Sequence, residues 1–285
     1  MRARISLPYA SVALPPLSCT GSIRAYIMKD TTADAGTAGR TNRYPASVYC
    51  GIAWYLEGTS EQLGDDMRGL RQLPATLLLG PQSRPLVTRN PGPVRTFGVV
   101  FHPQAFHRMT GLDMSSLVDG LVPAEQVLPA SWQELCATVR SATDDVQRTE
   151  LLETFVKQHD LLLPASPSPV AAAVRWMRDL RAHALRAGLG ESVRSLERLA
   201  HVWAGQSLRR LGWLSRAEDA LLHARQEGDR SGHPPRWQDV ALSAGYADQS
   251  HLCREARRVT GASPSELARR VEAHDDSYWF YRIWS

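Results

Sequence analysis

WQDVALSAGYADQSHLCREARRV, residues 237–259, is the stretch from which the fold of this chain is read, as helix, tight turn and helix. Trp237, Val240 and Ala241 stand at i, i+3 and i+4 and so share one face of a first helix. Gly245 is a natural stop, because glycine takes the positive φ that ends a helix without a Cβ penalty. Asp248 follows as an N-cap, its carboxylate accepting the orphan amide protons of a new first turn. In the second helix Leu252, Ala256 and Val259 recur at i, i+4 and i+7 and point inward. That leaves Gln249, Ser250, Cys253, Arg254 and Arg257 on the outward face.

Two short helices joined by such a turn, the second bearing Gln and Arg on its exposed first half, fit a DNA-reading helix-turn-helix. Glutamine can bond an adenine edge at two points, and arginine can grip guanine O6 and N7 in the same way. The pattern alone also suits a helical hairpin with a solvated charged face. The longer run from Gly245 to Leu267, GYADQSHLCREARRVTGASPSEL, resembles the second helix-turn-helix of the AraC/XylS transcription regulators. The resemblance rests on the Gly-aromatic turn, on Asp-Gln-Ser-His opening the recognition helix, on the Arg within it, and on Gly261, Ser263 and Pro264 starting the next helix. Ser as a cap and Pro at the first helical position make that start physically sound. The chain departs from the family at Leu252 and Ala256, where phenylalanine is usual, so the core behind this helix is thinner.

Charge separates the two halves of the 285 residues. Residues 1–168 hold 15 basic and 15 acidic side chains, whereas residues 169–285 hold 18 and 14, so the formal +4 belongs to the second half. All of its basic residues are Arg. A basic half beside a neutral one points to an anionic partner, although a soluble surface can carry the same modest charge. The cysteines at 19, 50, 136 and 253 form no CxxC pair and read as reduced thiols in a cytoplasmic protein. That spacing excludes the AraC-type DNA-repair methyltransferases, which need a compact four-cysteine zinc site. No apolar run approaches the roughly 18 residues that span a membrane. Arg2 and Arg4 before ISLPYASVALPPL resemble a signal peptide faintly, but Pro8, Pro15 and Pro16 interrupt the run, so it reads as loop.

Residues 1–22 are therefore expected to be disordered or loosely packed, and 30–43, rich in Thr, Ala and Gly, to be a flexible connector. Short β-branched or aromatic runs at 47–58, 75–81, 85–90 and 95–103, bounded by Gly, Pro and Asn, follow the grammar of an all-β sandwich or barrel. Helical periodicity takes over from 124 to 163, and LLLPASPSPV ends it as a Pro/Ser-rich hinge. RYPAS, LLLGPQS, GVVFHPQAFHRMTG and DGLVP, between Arg43 and Leu128, resemble the cupin-like N-terminal domain of some AraC-type regulators. That resemblance implies ligand sensing or dimer contact. The expected fold is α+β and multidomain: a small cupin-like β-barrel with trailing helices over 23–163, a linker at 164–169, and an all-α double helix-turn-helix domain over 170–285.

Family members carry two such units, so a first is expected at about 174–203 and the second at 236–260, joined by a linker helix at 207–227. In SVRSLERLAHVWAGQS, Leu196, Leu199 and Val202 face the core and Arg194, Ser195, Glu197 and Arg198 face out. These four join Gln249, Ser250, Cys253 and Arg254 as candidate base-reading residues, with Glu197 able to accept from cytosine N4 or to orient a neighbouring Arg. Arg209, Arg210, Arg216, Arg257 and Arg258 are candidate phosphate contacts. The polar stretch 223–236 reads as a long loop. The aromatic tail SYWFYRIWS reads as packing rather than base stacking.

His102 and His107 lack the His-x-His spacing of a cupin metal site, and no Gly-x-Ser-x-Gly elbow, phosphate loop or dinucleotide fingerprint occurs. No catalytic residue, metal or cofactor is expected. The expected function is sequence-specific transcription regulation through double-stranded DNA. A small-molecule effector, a homodimer and, for an activator, RNA polymerase are the further partners. The alternative is a cupin-like enzyme with an accessory helical domain.

Overall fold

The β-branched and aromatic runs between residues 23 and 101 form strands because their side chains suit a pleated, half-buried surface. The structure, a computed structural model, describes residues 4–33, 40–64, 69–159 and 193–283. Among the described residues the strands in chain order are β1 Arg4–Leu7, β2 Ala10–Ala13, β3 Ile23–Asp30, β4 Arg40–Tyr44, β5 Cys50–Glu57, β6 Glu61–Leu63, β7 Leu70–Gln72, β8 Thr76–Leu79, β9 Leu86–Asn90, β10 Arg95–Phe101 and β11 Leu121–Pro123. They make two antiparallel sheets, ordered β1-β2-β3-β10-β5-β8-β11 and β4-β9-β6-β7.

Strand alternation decides the layers. Cys50, Ile52 and Trp54 of β5 and Phe97, Val99 and Phe101 of β10 point into a core completed by helices. Ala53 and Tyr55 point the other way and meet Leu86 and Tyr44 of the smaller sheet. The closed cupin-like barrel expected from the sequence is thus corrected to two open sheets. β4 pairs with β9 rather than continuing from β3, and β1 and β11 end the larger sheet apart from each other.

A second correction concerns the N-terminus. Residues 4–13, expected to be loose, form a hairpin that extends the larger sheet beside β3, and Ala10, Val12 and Cys19 are buried. The connector expected over 30–43 ends in β4, whose Asn42 is buried.

Four helices cover the other face of the larger sheet: α1 Pro103–Thr110, α2 Ala124–Val127, α3 Ala130–Ser141 and α4 Asp145–His159. Trp132 is their keystone, edge-on to Phe101, Phe106 and Phe155 at 5.6, 5.4 and 4.9 Å. Its Nε1–H donates to the Met109 carbonyl at 3.3 Å, and that of Trp54 donates to the Cys136 carbonyl at 3.1 Å. With their polar edges satisfied, both indoles can be fully buried.

The C-terminal region is helical: α5 Val193–Ala204, α6 Leu208–Ser231, α7 Trp237–Ser243, α8 Gln249–Thr260, α9 Pro264–Glu272 and α10 Trp279–Ile283. α6 runs to Ser231, so most of the stretch read as a loop over 223–236 is helix, closed by Gly232 in the left-handed region. The hinge at 164–169 and the start of the first helix-turn-helix lie outside the described residues.

The two regions touch closely. Gly205, between α5 and α6, has φ +65°, and a Cβ on it would stand 2.4 Å from Val118 Cγ2 and 2.6 Å from the Met114 carbonyl oxygen. Both the backbone angle and the space demand glycine. Gly205→Ala is expected to cost more than about 1 kcal/mol, read as a lowered unfolding midpoint; an unchanged midpoint would refute the close approach.

Candidate nucleic-acid interface

The second helix-turn-helix is built from local rules. α7 places Val240 and Ala241 inward, and Gly245 turns the chain at φ +73°. Asp248 then caps α8, its Oδ1 accepting from the His251 amide at 2.7 Å. Leu252, Ala256 and Val259 are buried, Leu252 against Ala220 and Ala224 of α6 and Tyr246 of the turn. Half-buried Trp237 packs on the same cluster and fills part of the space that Leu252 and Ala256 leave where phenylalanines are usual. Gly261 ends α8 at φ +79°, and Ser263 caps α9 with Pro264 at its first position.

On the outer side of α8, Gln249, Ser250, Arg254, Arg257 and Arg258 are exposed and Cys253 is half-buried. A polar helix face on a buried apolar back gives side chains that reach a groove without disturbing the core. Asp248→Ala removes the cap and is expected to cost about 1 kcal/mol, measured by chemical denaturation. A loss within error would mean that water serves the first turn equally well.

Behind the exposed face lies a brace that the sequence reading missed. Glu255, 8% exposed, faces His251 Nε2 at 3.2 Å, and the Tyr246 ring stands edge-on to His251 at 5.2 Å. Burial, and then the Glu255 carboxylate, push the Tyr246 phenol well above its ordinary range. The Arg216 guanidinium covers the other side of that ring at 5.3 Å. The four-residue spacing of His251 and Glu255 was the available signal.

Around α5, Arg194 and Arg198 are exposed, as is Arg209 at the start of α6; Ser195 is in α5. Three expectations are corrected. Glu197, taken as base-reading, caps α6 instead, its Oε2 accepting from the Leu208 amide at 3.2 Å. Arg210, taken as a phosphate contact, donates to the Ser83 carbonyl in the sheet region and lies over Trp213. Arg216 is held on Tyr246. In each case an intramolecular partner occupies a side chain that the linear pattern placed in solvent.

The helices are tied to the sheets by buried polar bonds. Arg24 donates to Tyr49 Oη and to Glu218 Oε1 of α6, both at 2.6 Å. The Ala46 amide donates to the Val259 carbonyl near the end of α8 at 2.7 Å. Between the sheets and the helices lies a cavity of about 960 Å³, lined by Ile27, Tyr55 and Leu86 from the sheets and by Leu214, Val259 and Trp279 from the helices.

His102 and His107 serve the fold: burial, with the Arg24 charge second, pushes the His102 imidazole down to about 3, and His107 Nδ1 pairs with the Leu112 carbonyl at 2.7 Å. Among the described residues no three His, Cys, Asp or Glu side chains gather as metal ligands, no disulfide forms, and no helix is long and apolar enough to cross a membrane.

Residues 13–123 match a family model described as a domain of unknown function, DUF6597. No curated protein matches the chain. Among solved structures, ToxT from Vibrio cholerae is similar at 12% identity and a TM-score of 0.35, the match covering 80% of this chain and 97% of ToxT. An apo ToxT variant from the same organism gives 13% identity and a TM-score of 0.38 over 85% and 96% of the two chains. The AraC-like transcriptional activator CuxR gives 12% identity and a TM-score of 0.34 over 77% and 82%.

Proposed function

We propose that this chain is a sequence-specific transcription regulator of the AraC/XylS type, reading two successive major grooves through two helix-turn-helix units and answering to a small molecule held beside its sheets. The observation that carries this reading is α8, with Gln249, Ser250 and Arg254 exposed on a helix whose back is buried. Gln249 and Arg254 suit adenine and guanine edges, with Ser250 and Cys253 beside them. In the first unit Arg194, Ser195 and Arg198 are the base-reading residues. Arg209, Arg257 and Arg258 bind phosphate, fixing the register without reading sequence. The DNA-binding domain begins after a linker at 164–169, and RNA polymerase is the next partner if the chain activates.

Salt dependence tests this directly. Neutralising several phosphates releases counterions, so the logarithm of duplex affinity falls linearly with that of salt, with a slope of about −0.9 per phosphate. Three such arginines predict a slope near −3 or steeper. A flat response would contradict the reading.

A further inference from the structure

The cavity between the sheets and the helices contains one cation with no counter-ion of its own. Lys29 lies on β3, lines the cavity and is 4% exposed. Its Nζ donates to Asn42 Oδ1 at 2.5 Å and stands 5.0 Å from the Trp279 ring centre. Among the described residues no carboxylate forms an ion pair with it. Much of the surrounding wall is apolar, including Ile27, Leu77, Leu86 and Phe280. A buried ammonium is costly unless paired, so this site favours a ligand that brings the missing charge. Burial, and then the Arg40 charge, draw the Lys29 ammonium down to about 7, with Asp276 acting the other way.

The same few atoms join the cavity to the end of the chain. Asn42 Oδ1 accepts from Trp279 Nε1 at 2.9 Å as well as from Lys29. Trp279, Phe280 and Ile283 of α10 pack on Ala10, Val12 and Ala25 of the larger sheet. Arg225 of α6 donates to the carbonyls of Tyr281 and Arg282 at 2.8 and 2.9 Å. The aromatic tail thus ties the helical region to the strand that carries Lys29.

Resting on the effector-controlled reading above, we propose that the cavity takes an apolar molecule with a single acidic group, that Lys29 holds this group, and that α10 registers its arrival through Trp279. An anion drawn to Lys29 pulls Nζ from Asn42 and from the indole face, and so loosens the seat of α10.

The test uses the full chain with dodecanoate and dodecanol, which share a tail and differ in the head. Calorimetry is expected to give dodecanoate an advantage of about tenfold, the worth of one charge-assisted hydrogen bond. Lys29→Met should reduce that ratio to within about twofold, and Lys29→Arg should keep it. If Lys29→Met does not fold, loss of the advantage in Lys29→Gln serves the same end. Hydrogen exchange in residues 275–283 should quicken on adding dodecanoate. Equal affinities in the native chain, or an advantage that survives in the folded Lys29 variants lacking the charge, would overturn the site. Unchanged exchange in the tail would overturn the role of α10. None of these readouts needs DNA, so a chain that prefers dodecanoate but binds no duplex would refute the regulator reading and leave the site standing.

Discussion

Arg254→Ala is expected to weaken binding to the preferred duplex by about 1 to 3 kcal/mol and to relax base preference at one position. Arg254 is exposed near the middle of α8, where a guanidinium can meet a guanine edge at two points. Arg258, one turn further along and also exposed, has a different role. Arg258→Ala should weaken all duplexes alike and reduce the salt slope by about 1. Competition with duplexes altered one base pair at a time separates the two. If both variants lose equally on every sequence, Arg254 does not read bases.

Glu218→Ala is expected to be the most destabilising change at the junction of sheets and helices. Arg24 is buried at 6% exposure, and Glu218 Oε1, 2.6 Å away, is on α6. Removing the carboxylate leaves a buried guanidinium with Tyr49 and without this counter-ion. The Glu218 side chain retains 28% exposure, so a loss of about 2 to 3 kcal/mol is expected, below the range for wholly buried pairs. Arg24→Met with Glu218→Leu should recover much of that loss, because an apolar pair carries no desolvation cost. Urea unfolding of the two singles and the double measures the coupling. Additive losses would show that the pair contributes nothing beyond its separate side chains.

What could be read from the linear chain was what depends on near neighbours. The spacing of Leu252, Ala256 and Val259, the stop at Gly245 and the cap at Asp248 are local, and α7, the turn and α8 follow from them. The runs that became β5, β8, β9 and β10 were legible for the same reason. Which strand pairs with which was not, because β4 chooses β9 through contacts across the chain rather than through its own composition. Pro8, Pro15 and Pro16 hid the β1–β2 hairpin, although Pro8 occupies its turn, where no ladder hydrogen bond is lost. Glu197, Arg210 and Arg216 were misread in one way: their partners are Leu208, Ser83 and Tyr246, and charge on a helical pattern does not reveal a contact made by folding. The tail was read as packing, and its partners on β2, β3 and β4 emerged only from the structure.

Selection of bound fragments from a random duplex library tests the central claim most directly. The account predicts an enriched sequence with two blocks about one helical turn, 10 to 10.5 base pairs, apart, one for each reading helix. A bound pool with no enriched sequence, or no bound pool at all, would contradict it.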